Sequence, residues 1–377
     1  MFTLTRFFAV FEFILRLGSE KRNLIIEIKE RVRGGIGIRV RFRTVWGNPW
    51  EFKSPRTHKV NCFRLSFLYD TSGGVLNLYK FHKEIIVAKI PNPTKWLSPF
   101  EDRVRVELYG QGYDTDWRPS LETWEKVSLI GERAGVSSVF VPNLAFGRSI
   151  YCPSQFGGHP LLFGARDCSV LSGPKADGVI LFPGQACWLS SADCPTVLLK
   201  NMRTGVTIVL HAGRRCLVDE ENIFNGTTCS PSIIDAAIKL FADTDRDKLR
   251  VFLFLGIGAK HFLHSPAHPT WGSRNSKLNE FILNKWGKRC FWGSSDSEIG
   301  EGRISLFDII VAQCMEHGIR EDHCSFGLSE TFSDTYPENG EKPLLWTPFM
   351  WYSHRRAVFD GGEDLEARNG IFVLNKR

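Results

Sequence analysis

A cysteine opens one apolar run and a histidine closes the next. Cys194 stands before Pro195-Thr196-Val197-Leu198-Leu199, and His211 ends Val206-Thr207-Ile208-Val209-Leu210-His211. Only the turn Arg203-Thr204-Gly205 separates the two runs, so they read as neighbouring buried strands whose ends could bring a thiolate and an imidazole to one rim. Both groups are ligands of transition metals, and His159, in the loop Gln155-Phe156-Gly157-Gly158-His159-Pro160, is the candidate third ligand. Three nitrogen or sulfur ligands with the fourth position open is the pattern of a catalytic zinc, whereas structural zinc is usually closed by four. Cysteine also packs as a small hydrophobe, and spacing alone leaves core packing and ligation both open. The same pair admits a second chemistry, a thiol nucleophile at Cys194 with His211 as its base and no metal between them. No Gly-x-Ser-x-Gly elbow is present, and the turn Gly256-Ile257-Gly258 lacks the spacing of a dinucleotide fingerprint.

Two kinds of neighbour accompany the pair. Asp193, beside Cys194, is a candidate general base or orienting acceptor, although an aspartate at a strand end also caps turns. Arg215, just past His211, carries a planar fork suited to phosphate or carboxylate, and Arg355 and Arg356 offer the same chemistry near the C-terminus.

The order of these motifs resembles a known family. Ala176-Asp177-Gly178, Ala192-Asp193-Cys194-Pro195, His211-Ala212-Gly213-Arg214-Arg215 and the later Gly256-Ile257-Gly258 are similar to successive motifs of the laccase-domain family, also called the polyphenol oxidase or YfiH/YlmD-type purine nucleoside phosphorylase family. Cys324, Tyr352-Ser353-His354-Arg355-Arg356 and Arg368 follow in the order of its closing elements, so the resemblance spans residues 126–377. It implies that His159, Cys194 and His211 bind Zn2+, with Cu2+ as the alternative. It also implies that Asp193 and Arg215 are catalytic and that Arg215, Arg355 and Arg356 hold substrate. The implied activity is phosphorolysis of adenosine and related purine nucleosides, with methylthioadenosine phosphorolysis and adenosine deamination as further reactions, so the partners are a purine nucleoside and phosphate. Copper-dependent phenol oxidation and a non-catalytic binding protein on the same scaffold are the alternatives. The chain departs from the family pattern at several points: Arg214 stands for a tryptophan, Cys216 for a glycine, Gly157-Gly158-His159 for Gln-Val-His, and His354 for a tyrosine. His261 and His354 are the next candidates for the third ligand.

Composition sets the background. The 377 residues are 43% hydrophobic and 24% charged, ordinary for a packed globular chain, and the net charge of +7 favours anionic partners without naming a reaction. Much of that charge lies near the N-terminus, but the alternation in Ile36-Gly37-Ile38-Arg39-Val40-Arg41-Phe42-Arg43 reads as a solvated strand face, and nucleic acid is not an expected partner. Ten scattered cysteines without a CxxC pair fit reduced thiols. The apolar segment Phe7–Leu15 is interrupted by Glu12 and is too short for a membrane span, so a cytoplasmic protein without membrane contact is expected. No pattern fixes an oligomeric state.

Residues 1–125 hold short alternating runs and read as a β-rich N-terminal region of unassigned role, with the metalloenzyme domain over 126–377. Helices are predicted at 121–135, 232–242 and 305–317, with strands at 179–182, 186–191, 196–200, 206–210 and 250–255. The fold class expected is α+β: from pattern alone, a sheet with helices on its faces; by the resemblance, a layered α/β sandwich with sheets inside and helices outside.

Overall fold

The computed structural model describes residues 92–110, 117–155, 159–164, 167–226, 231–293, 295–332, 351–360 and 367–377, together with four strands nearer the N-terminus. The chain divides into two compact units, Met1–Ile90 and Pro91–Arg377. In the first, β1 (Asn23–Lys29), β2 (Arg39–Val45), β3 (Lys59–Phe67) and β4 (His82–Val87) form an antiparallel sheet in the order β2-β1-β3-β4. The apolar segment 7–15 lies outside the described residues.

The second unit contains two sheets. One has seven strands: β5 (Lys95–Leu97), β6 (Val104–Tyr109), β7 (Ser138–Asn143), β9 (Leu161–Phe163), β10 (Ser169–Lys175), β12 (Ala186–Ser191) and β17 (Asn369–Asn375), in the order β5-β6-β17-β12-β7-β10-β9. The other has six: β8 (Ile150–Tyr151), β11 (Gly178–Leu181), β13 (Thr196–Asn201), β14 (Thr207–His211), β15 (Leu249–Gly256) and β16 (Cys324–Glu330), in the order β16-β15-β13-β14-β11-β8. Strands β5 and β6 fall on the N-terminal side of the 125/126 division drawn from the sequence, yet they pair within the seven-stranded sheet.

Side-chain alternation shows why the sheets stack. Along β13 and β14, Leu198 and Val209 point into one core with Val106 and Leu108 of β6 and Ile371 and Val373 of β17. Their neighbours Val197, Leu199, Ile208 and Leu210 point the other way, into a second core covered by helices. A strand buried on both faces carries a continuous apolar run rather than an alternating one, and this is how these two strands read in the sequence. The helices on that side are α2 (Arg214–Leu217), α3 (Glu220–Phe224), α4 (Ile233–Ile238), α5 (Gly272–Trp286), α6 (Asp296–Gly300) and α7 (Leu306–Glu316). On the outer face of the seven-stranded sheet, Trp124, Val127 and Ile130 of α1 (Leu121–Arg133) pack against Val139, Val170, Trp188 and Phe372. The unit is therefore a four-layer α+β sandwich with both sheets inside. Among the described residues no helix is long and apolar enough to cross a membrane.

Local signals start the predicted helices where expected. The side chains of Ser120, Ser232 and Ser305 accept hydrogen bonds from the backbone of Thr123, Asp235 and Asp308, satisfying donors that each first turn leaves open. The predicted helix at 232–242 is shorter in the structure, where α4 ends at Ile238 and a 3-10 turn follows over Asp243–Lys248.

Candidate functional site

The antiparallel register of β13 and β14 pairs Thr196 directly with His211. Cys194 lies two positions before Thr196, so strand pairing alone carries its thiol to the histidine. Residues 192–195 cross from the seven-stranded sheet to the six-stranded one, and Asp193 makes the crossing in the left-handed region, at φ 69°. Aspartate tolerates that region better than most residues, and here it is held from three sides. Its Oδ1 accepts from the Thr331 hydroxyl at 2.7 Å, its Oδ2 from the Arg355 backbone N–H at 2.8 Å, and its carbonyl from the Ile257 N–H at 2.9 Å. Arg355 belongs to α8 (His354–Asp360), so the Asp193 carboxylate also satisfies an open donor at that helix start. In this structure Asp193 positions the cysteine loop.

Two glycines keep the loop in place. A Cβ on Gly256 would come within 2.9 Å of both Pro195 and Phe307, so this glycine of the Gly256-Ile257-Gly258 turn serves the close approach of β15 to the cysteine loop. A Cβ on Gly213 would meet Cys194 Sγ at 3.0 Å and His211 Cε1 and Nε2 at 3.2 and 3.6 Å. Thiol and imidazole therefore face the same small space, and the Cys194 side chain is near enough to help raise the pKa of the ring.

The opposite edge of the ring is anchored. His211 Nδ1 donates to Asp177 Oδ1 at 3.0 Å, and Cys216 Sγ lies 3.9 Å from the same nitrogen. Asp177 sits between β10 and β11, fully buried, and also collects the backbone N–H groups of Ala145 (3.3 Å), Phe146 (3.1 Å) and Gly147 (2.7 Å). Burial alone would push its carboxyl up, but the His211 and backbone hydrogen bonds outweigh burial and hold it below the usual range. For His211, burial opposes the charged ring, yet Cys194, Asp177 and Cys216 together hold its pKa well above the ordinary value. Burial pushes the Cys216 thiol up, and the neighbouring imidazole offsets this only in part.

These side chains can hold a metal. Asp177, His211 and Cys216 are all buried and offer ligand atoms within 4.8 Å of one another, a carboxylate, imidazole and thiolate set of the kind zinc takes. Because Asp177 already accepts from Nδ1, an ion at that edge would displace the hydrogen bond. An ion at the other edge would use Nε2 with Cys194 and leave Asp177 to orient the ring, as carboxylates commonly do behind ligating histidines.

The predicted residues are distributed unevenly. The structure brings Cys194, His211 and Asp193 together, and all three line one cavity of about 680 Å³ with His354, Arg355 and Arg368. His159 is not among the lining residues. Its Nε2 lies 3.1 Å from the Pro153 carbonyl oxygen, and its ring packs edge-on to Phe140 and Tyr151. His261 stacks on Phe332 instead. Arg215 is exposed on α2 and does not line the cavity, whereas half-buried Arg214 pairs with Glu220 at 2.7 Å. Arg355 reaches over the Phe262 ring at 5.2 Å, and burial lowers its pKa against a partial offset from Asp193. The Arg356 side chain lies outside the described residues. Buried His264 is held down to about 3, first by burial and then by Arg214 and Arg355.

Asp177, Cys216 and Phe146 carry no catalytic signature in the sequence: Asp177 shows only the Ala176-Asp177-Gly178 motif, and Cys216 stands at a position where the resembled family has glycine. Phe146 has no local signature.

No protein-family model and no curated protein matches the sequence. Solved structures of similar fold include a Neisseria meningitidis protein of the DUF152 family, with 13% identity, a TM-score of 0.48, and coverage of 75% of this chain and 99% of that one. The hypothetical protein YfiH of Bacillus licheniformis is 14% identical over 72% of this chain and 92% of its own, with a TM-score of 0.46. YlmD of Geobacillus stearothermophilus is 15% identical over 73% and 92%, with a TM-score of 0.46.

Proposed function

We propose that this protein is a metal-dependent purine nucleoside phosphorylase, acting on adenosine and related nucleosides, with methylthioadenosine phosphorolysis and adenosine deamination as further reactions of the same site. The observation that carries the reading is the meeting of the Cys194 thiol and the His211 imidazole on the wall of a cavity of about 680 Å³, within the size range of small-molecule sites. Zinc, or copper in its place, would supply a Lewis acid held by His211 with Cys194 or with Asp177 and Cys216.

The chain's own residues account for the rest. Asp177 fixes the ring and tautomer of His211, since a carboxylate can only accept and Nδ1 must therefore carry the proton. Asp193 holds the cysteine loop. Arg355, half-buried at the cavity with its charge disfavoured by burial, gains most from an anion, and phosphate is the anion that phosphorolysis requires. Arg214, paired with Glu220, lies within Coulombic reach of Arg355.

A second reading is favoured by one feature, the chain of contacts Asp177–His211–Cys194, which is also the arrangement of a thiol nucleophile with its base and orienting acid. Incubating purified, metal-analysed protein with adenosine, inosine and methylthioadenosine, with and without phosphate, separates the two. Free base and ribose 1-phosphate formed only with phosphate support phosphorolysis. Base release without phosphate, by protein lacking metal, supports the thiol.

A further inference from the structure

Phe146 is held where a side chain of its size gains little from the protein. Its backbone lies at φ 55°, in the left-handed region that bulky residues rarely occupy, and its side chain is 54% exposed. The Asp177 carboxylate fixes this conformation by accepting the N–H groups of Phe146 and both its neighbours, while the same carboxylate anchors His211. The ring lines the cavity and stands edge-on to the His211 ring, 5.4 Å between centroids at 76°. One buried acid thus presents an exposed aromatic face and the site's imidazole together. Asn143, at the end of β7, lines the same cavity and is exposed, and its carboxamide carries both a donor and an acceptor. Trp124, Val141 and Leu162 supply apolar wall.

We propose that Phe146 is the stacking face for a planar nitrogen heterocycle and that Asn143 reads the hydrogen-bonding edge of the same ring. Every nucleobase offers a π-face, and a carboxamide matches an edge with adjacent donor and acceptor atoms. This places the base of a nucleoside beside the His211 edge, with its sugar toward Cys194 and its anionic co-substrate toward Arg355. The inference rests on the nucleoside reading given above, but its test does not depend on turnover.

The test is equilibrium binding of free adenine to the full-length protein by titration calorimetry. Phe146→Gly removes the ring and suits the positive φ, so the loop keeps its conformation. Phe146→Trp restores a stacking face. Adenine should bind the wild type, bind Phe146→Gly about tenfold or more weakly, and bind Phe146→Trp close to wild type; Asn143→Ala should weaken it several-fold. Wild-type affinity in Phe146→Gly, or no adenine binding by the wild type, overturns the inference. Adenine binding that follows this order in a protein that does not cleave nucleosides upholds the stacking face and defeats the phosphorylase reading instead.

Discussion

Replacing Asp177 with asparagine removes one charge and leaves shape and volume almost unchanged. The carboxylate takes hydrogen bonds from His211 Nδ1 and Phe146 N on Oδ1 and from Ala145 N and Gly147 N on Oδ2. A carboxamide has one oxygen, so whichever way it turns, its NH2 faces a pair of donors that then go without an acceptor in a fully buried site. Losing hydrogen bonds to a charged acceptor costs roughly 1.5–3 kcal/mol each, and removing one partner of a buried ion pair costs about 3–5 kcal/mol, so Asp177→Asn should lose about 3–5 kcal/mol. Urea unfolding followed by tryptophan fluorescence measures this directly. The pH profile adds a sign. The Asp177 carboxyl is depressed, so its stabilisation is present above its ordinary pKa near 3.8 and disappears as pH falls through the folded value. The His211 pKa is raised, so its stabilisation is complete below 6.5 and fades as pH rises through the folded value. The gap between wild type and variant should be widest between those limits and narrow on either side. A loss under about 1 kcal/mol, or a gap that does not vary with pH, would refute the account of this pair.

Four further outcomes follow. Cys194→Ala and His211→Ala should each lose bound metal on elemental analysis, whereas His159→Ala should keep it, because the His159 ring is engaged with Pro153; metal lost from His159→Ala alone would contradict that placement. Gly213→Ala puts a methyl 3.0 Å from Cys194 Sγ, so metal affinity and turnover should fall about tenfold or more with the fold intact, and unchanged values of both would show that the space between thiol and imidazole is not used. Arg355→Lys keeps the charge but loses the planar fork, raising the KM for phosphate about tenfold without loss of metal; an unchanged phosphate dependence would move the anion elsewhere. Burial pushes Lys200 down to about 8, so its contribution to stability grows as pH rises from 8 toward 10.5; relative to Lys200→Met, the wild type should gain roughly 1–2 kcal/mol between pH 7.5 and 9.5, and parallel profiles would count against this.

What the sequence disclosed depended on whether the signal was local. The apolar runs at 196–200 and 206–210 are β13 and β14, and their short turn makes them partners, so local sequence alone sets Cys194 near His211. Helix α5 went unseen because its first six residues, Gly272 to Lys277, carry no apolar side chain and no side chain caps its start, so only its second half shows the apolar spacing of Leu278, Ile282 and Trp286. The order of strands in the two sheets, with β17 inserted between β6 and β12, arises from contacts between opposite ends of the chain that no window of sequence contains. His159 illustrates the same limit: its position relative to Cys194 depends on how β8 to β10 are laid out, and the structure turns its ring toward Tyr151. Asp177 was legible only as part of a motif. Its role became visible once β11 and β14 were paired, setting Gly178 opposite Leu210 and bringing the carboxylate to His211.

The central claim is that the cavity beside Cys194 and His211 transfers the ribosyl group of a purine nucleoside to phosphate. Incubating metal-analysed wild-type protein with adenosine and phosphate, and separating the products by chromatography, tests it most directly. The account predicts free adenine and ribose 1-phosphate in equal amounts, formed only when phosphate is present and lost in Cys194→Ala and His211→Ala. Unchanged adenosine, or adenine appearing equally without phosphate, would contradict it.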